Sequence, residues 1–199
     1  MATDDPPQGA SSPEPVHLVV MGVSGTGKTT VALHLQTLLG WEFLEGDSLH
    51  PRRNVEKMAS GHPLTDQDRA PWLQALADWT GVQHVDGLST VMTCSSLRRS
   101  YRNLLTADAP GTFFVHLVGD PALILSRMVG RQHFMPPSML HSQLTTLEPL
   151  EPDEAGAVFD VADPPDVIAR RVVEHLGVGP AEMPPAEPVR RNDPAGTRS

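Results

Sequence analysis

The sequence holds a single cysteine, Cys94, in 199 residues. One thiol cannot close an intramolecular disulfide, so the expected compartment is a reducing cytoplasm. Long hydrophobic runs are missing as well. The longest falls far short of the ~20 apolar residues a membrane helix needs. The first residues, Met1-Ala2-Thr3-Asp4-Asp5-Pro6-Pro7, contain neither a basic nor an apolar stretch, so no secretory signal is expected. Positive charge is also in deficit. Fifteen Lys and Arg face 24 Asp and Glu, a formal net charge of −9. That balance argues against a nucleic-acid partner or an anionic membrane surface, because both demand a broad basic field. It leaves room for a small, locally basic pocket.

Proline is unevenly spread. Four of the 20 prolines fall in residues 1–15 and five in 178–199, both stretches without periodic apolar residues. They read as disordered tails around one domain over 16–177. Within it, short apolar runs alternate with helical patterns. Strands are predicted over 16–21, 41–45, 88–94, 113–118 and 157–161. Helices are predicted over 29–39, from a start at Thr65 through 70–79, and over 97–105, 121–129 and 165–176. Strands alternating with helices mean βα units, hence an α/β fold with a five-stranded parallel sheet covered on both faces.

Between the first strand and the first helix lies Gly22-Val23-Ser24-Gly25-Thr26-Gly27-Lys28-Thr29. This matches the phosphate-binding loop G-x-x-x-x-G-K-[ST] in full and in its confirming context. The glycines let backbone N–H groups turn inward around a phosphate, and the helix N-terminus adds positive potential. Lys28 is expected to reach the β- and γ-phosphates of ATP, and the Thr29 hydroxyl to ligate Mg²⁺. Gly22, Ser24, Gly25, Thr26, Gly27 and Thr30 complete the expected nucleotide cradle. The third strand ends without an acid. The acids nearest a strand end are Glu45 and Asp47, which suits a small-molecule phosphotransferase better than a motor or a GTPase switch.

Residues 45–72 concentrate polar chemistry: Glu45, Asp47, His50, Asn54, Lys57, Asp66, Asp68 and Arg69 among others. Two readings are open from residue types alone. The stretch either binds an anionic, hydroxyl-rich acceptor or is an ordinary solvated face. Trp72 and Trp79 read as packing residues, and Cys94 as a small buried hydrophobe.

The motifs themselves narrow the choice. Phe43-Leu44-Glu45-Gly46-Asp47-Ser48-Leu49-His50-Pro51 is followed by Gly61-His62-Pro63-Leu64-Thr65-Asp66-Gln67-Asp68-Arg69, then Cys94-Ser95-Ser96-Leu97-Arg98-Arg99 and His133-Phe134-Met135-Pro136. Together they resemble the small P-loop gluconokinase family across residues 16–176. The resemblance implies a three-layer α/β/α sandwich like the nucleoside-monophosphate kinases, with a lid at about 127–138, and a homodimer. It implies transfer of the γ-phosphoryl of ATP to the 6-hydroxyl of D-gluconate.

By the same resemblance Lys28, Asp47 and Arg127 are catalytic, with Asp47 accepting the proton of the acceptor hydroxyl. Glu45 orients a water on Mg²⁺. His50, Asn54 and Lys57 line the gluconate pocket. Arg69 and Arg98 meet its carboxylate or the phosphoryl group. Arg127 and Arg131 cover the nucleotide, and His133 belongs to the lid. The family pattern Asp-Gly-Asp stands here as Glu45-Gly46-Asp47, and the lid is one residue short. Two alternatives are a shikimate-like kinase and a nucleotide-binding protein of this fold without turnover.

Overall fold

The computed structural model describes residues 14–129 and 139–178. Five parallel strands form one sheet in the order β2-β3-β1-β4-β5. They are β1 (His17–Met21), β2 (Glu42–Leu44), β3 (Thr90–Thr93), β4 (Thr112–Val118) and β5 (Gly156–Asp160). Seven helices among the described residues cover the sheet: α1 (Lys28–Leu39), α2 (Arg52–Ala59), α3 (Asp66–Val85), α4 (Arg99–Thr106), α5 (Pro121–Met128), α6 (Met139–Thr146) and α7 (Pro165–Leu176). None is long and apolar enough to cross a membrane. The α/β reading of the sequence and its five parallel strands hold.

Strand alternation builds two apolar layers from one sheet. On β1, Leu18 and Val20 face a core shared with Val31, Leu35 and Leu39 of α1 and Ile168 and Val172 of α7. Val19 and Met21 face the opposite core, with Trp72, Leu73 and Leu76 of α3 and Leu105 of α4. Register carries the division across the sheet. Val19 pairs with Met92 and Phe114, and all three lie in the second core. β1 is buried along its whole length, as a central parallel strand must be.

The helix expected to end at residue 79 runs on to Val85. Its start is a capping box: the Asp68 N–H donates to the Thr65 hydroxyl, and the Thr65 N–H donates to the Asp68 carboxylate. Three short helical elements were not foreseen: a 3₁₀ turn at Gly46–Leu49, α2 and α6. Helix α2 buries only Asn54 and Met58, so its apolar period is too sparse to register in the sequence. The expected tails, and most of the expected lid, lie outside the described residues.

Candidate active site

The sheet order places the phosphate loop at a topological switch. From β1 the chain first builds toward β2 and β3 on one side, then toward β4 and β5 on the other. In open parallel sheets the crevice for ligands forms outside the carboxyl ends of strands at such a point. The loop Gly22–Gly27 leaves the end of β1 there and opens α1. Gly22 has φ +133°, and a Cβ on it would stand 2.6 Å from the Leu117 carbonyl oxygen, so only glycine fits. The Gly22 N–H donates to the Ser95 carbonyl at 3.3 Å, tying the loop to the end of β3. Thr26 Oγ1 donates to the Val23 carbonyl at 2.8 Å, and Lys28 Nζ donates to the same oxygen at 3.3 Å. The ammonium group is therefore held over the loop.

Two clefts flank the loop. On the β4–β5 side, Gly25, Thr26, Gly27 and Thr30 meet Arg127, Val161, Asp163 and Pro165. Arg127 Nη2 donates to the Val161 carbonyl at 2.9 Å, which fixes the guanidinium beside the loop. On the β2–β3 side, Ser24 and Lys28 meet Asp47, His50, Arg69 and Trp72, with α6 closing the wall through Met139, Ser142, Gln143 and Thr146.

Asp47 is delivered by the 3₁₀ turn after β2. That turn can approach the sheet because residue 46 is glycine: a Cβ there would fall 2.0 Å from the Thr93 carbonyl oxygen. Trp72 Nε1 donates to the Gly46 carbonyl at 2.7 Å, and the Trp72 ring stacks on His50, centroids 4.0 Å apart and planes 20° apart. Trp72 is thus both packed, as the sequence suggested, and part of the cleft. His50 Nε2 stands 3.9 Å from Asp47 Oδ1. Burial lowers the His50 pKa, Asp47 partly opposes this, and Arg69 adds to it. Arg69 Nη1 donates to the Leu64 carbonyl at 2.6 Å, which aims the guanidinium at the cleft.

Three residues expected in the acceptor pocket are not among those lining it. Asn54 is buried, and its Nδ2 donates to the Asp68 carbonyl at 2.8 Å. Lys57 pairs with Asp68 at 2.7 Å, and that bond with the Thr65 contacts holds the Asp68 carboxyl far below the usual carboxylate range. Arg98 pairs with Asp66 at 2.8 Å and lies over the Tyr101 ring. All three join α2, α3 and α4 to one another beside the cleft. Arg131 and His133 lie outside the described residues.

Glu45 Oε1 accepts a hydrogen bond from the Thr93 hydroxyl, while Oε2 is buried without a partner among the described residues. An unsatisfied buried carboxylate oxygen is costly unless a cation or its water completes it. With the exposed Thr29 at the start of α1, the donors suit a hydrated Mg²⁺.

The sequence reading passed over α6 and gave Arg102 no role. The spacing 139, 142, 143, 146 does follow one helical face, and that was the available signal. The structural role of buried Arg102 left no signal, since its partners come from distant segments.

No protein-family model matches the chain. It is 50% identical over 164 residues to the gluconokinase of Gluconobacter oxydans (strain 621H), covering 82% of this chain and 92% of that protein. It is 42% identical over 163 residues to the thermoresistant gluconokinase of Escherichia coli (strain K12), covering 81% and 93%. The crystal structure of a gluconokinase from Sinorhizobium meliloti 1021 superposes with TM-score 0.72 at 42% identity, covering 82% of this chain and 97% of that one. A shikimate kinase from Aquifex aeolicus superposes with TM-score 0.56 at 13% identity, covering 81% and 96%, a likeness of fold alone.

Proposed function

The chain belongs to the gluconokinase family, and from that premise we propose that it transfers the γ-phosphoryl group of ATP to the 6-hydroxyl of D-gluconate. One observation carries the reading: a single phosphate loop separates two clefts, and the acceptor-side cleft holds both Lys28 and Asp47. ATP lies on the Arg127 side with its triphosphate in the loop. Gluconate lies on the Asp47 side, where Arg69 and His50 meet its carboxylate and hydroxyls.

The reaction is an in-line displacement. The gluconate O6 forms a bond to the γ-phosphorus while the bond from that phosphorus to the β–γ bridging oxygen breaks, and ADP leaves. The O6 proton passes to the Asp47 carboxylate. Lys28 and the loop amides neutralise charge on the equatorial oxygens, and Arg127 holds the nucleotide side. In phosphoryl transfer such positioning and charge neutralisation supply most of the acceleration. Mg²⁺, when bound at Thr29 and Glu45, adds charge neutralisation on the phosphates. The family resemblance also supports a homodimer working in the cytoplasm.

An assay of ADP release across gluconate, shikimate and nucleoside monophosphates tests the acceptor. Turnover on gluconate alone is expected. Turnover on shikimate or AMP without gluconate, or nucleotide binding with no transfer to any sugar acid, would overturn the reading.

A further inference from the structure

Helix α6 is a wall of the acceptor cleft; Leu140 packs it into the core, and hydrogen bonds fasten it to the rest of the fold. At its C-terminal end the Glu148 N–H donates to the Leu97 carbonyl at 2.7 Å, and Glu148 Oε2 accepts from the Arg99 N–H at 2.7 Å. These fasten the end of the helix to the start of α4. In its middle, Gln143 reaches the phosphate loop: its Oε1 accepts from the Ser24 N–H at 2.6 Å. The side chain is only 7% exposed. A backbone N–H is a donor, so the carboxamide must present its oxygen to it, and its orientation follows. Met139, Ser142 and Thr146 share the Gln143 face and line the same cleft.

We propose that Gln143 is a positioning residue for the acceptor, pinning α6 to the phosphate loop and so setting the width of the cleft that receives gluconate. The inference rests on the acceptor reading above. Its chemistry is selective. A phosphate loop gathers negative charge, so the tether must accept a hydrogen bond without carrying charge of its own. Glutamine meets both demands. Glutamate meets the first and repels the triphosphate. Methionine, of similar length, lacks the acceptor.

Three proteins test the tether: wild type, Gln143→Met and Gln143→Glu. Losing the Ser24 hydrogen bond should raise the gluconate KM of Gln143→Met about 3- to 10-fold, with the ATP KM within about twofold of wild type. Gln143→Glu should bring the gluconate KM back toward wild type while raising the ATP KM. An unchanged gluconate KM in Gln143→Met would overturn the proposal. So would tighter ATP binding in that variant, because the carboxamide would then be blocking the loop. Amide hydrogen exchange of the nucleotide-free proteins gives a readout independent of turnover. Ser24 N–H should be protected in wild type and Gln143→Glu and exchange faster in Gln143→Met. Equal protection in all three would also overturn it. If wild type itself fails to phosphorylate gluconate, the acceptor reading falls, whereas the Ser24 exchange comparison still decides the tether.

Discussion

In the proposed transfer, Asp47 is the residue on which the chemistry turns. It stands on a short 3₁₀ turn, braced by the Trp72 bond to Gly46, with His50 stacked on the Trp72 ring beside it. A carboxylate there can orient the acceptor hydroxyl and take its proton; an amide of the same shape can do only the first. Asp47→Asn should lower kcat about 10²- to 10⁴-fold and leave ATP affinity within about twofold. Steady-state kinetics with nucleotide titration checks this, and a loss of ATP affinity alone would assign Asp47 to the nucleotide or its metal. The structure brings Lys28, Asp47, His50 and Arg69 to one cleft, and motifs singled out all four in the sequence as charged or titratable types at fixed spacing. Asn54, Lys57 and Arg98 carry equally suggestive side chains, yet Asp68 and Asp66 engage them first. Residue type announces what a group can bind, but tertiary neighbours decide what it does bind. Gln143 illustrates the converse: a neutral amide is inconspicuous until the fold sets it against a loop N–H.

At the scale of elements, the clefts depend on how helices are fastened to one another. Arg102 on α4 is fully buried and spends all five N–H donors. Nε and Nη2 bind the Glu154 carboxylate at 2.6 and 2.8 Å, Nη1 binds the Ser96 and Glu148 carbonyls at 3.1 and 3.0 Å, and Nη2 also binds the Pro149 carbonyl at 3.1 Å. One guanidinium thus joins α4, the turn after β3 and the segment between α6 and β5. Ser96 in that turn holds φ +46°, a conformation uncommon outside glycine, and the Arg102 bond to its carbonyl helps maintain it. Arg102→Met strands a buried carboxylate and three carbonyls. It should destabilise the fold by about 3–5 kcal/mol, read from denaturant midpoints; a cost under about 1 kcal/mol would show that the clamp is not structural. The long, periodic elements α1 and α7 were readable in the sequence. The eight-residue α2 and α6 were not, although α4 and α5 of the same length were: each is an extra helix within a strand-to-strand connection that already holds one, so the strand–helix alternation gave no place for it.

For the molecule as a whole, alternating strands and helices specified a parallel sheet, while the order β2-β3-β1-β4-β5 became visible only in the structure. That order places a cleft on each side of β1. Two buried histidines on central strands make the fold sensitive to acid. Burial, with His84 nearby, lowers the His17 pKa to about 4, and burial, with Arg102 nearby, lowers that of His116 to about 4. The unfolded chain takes up these protons near pH 6.5, so it binds more protons than the native state between pH 6.5 and 4. Stability is therefore full above 6.5 and falls as pH drops through that window, on the order of 1 kcal/mol per pH unit for each histidine. Both ring nitrogens of His116 lack partners among the described residues. His116→Leu should flatten the slope measurably in urea titrations at several pH values; an unaltered slope would place the effect elsewhere.

The most direct measurement is identification of the product by ³¹P NMR after incubation with ATP, Mg²⁺ and D-gluconate. The account predicts ADP and a phosphomonoester whose phosphorus couples to the two protons on carbon 6 of gluconate. Inorganic phosphate alone, or a phosphoryl group on any other oxygen, would contradict it.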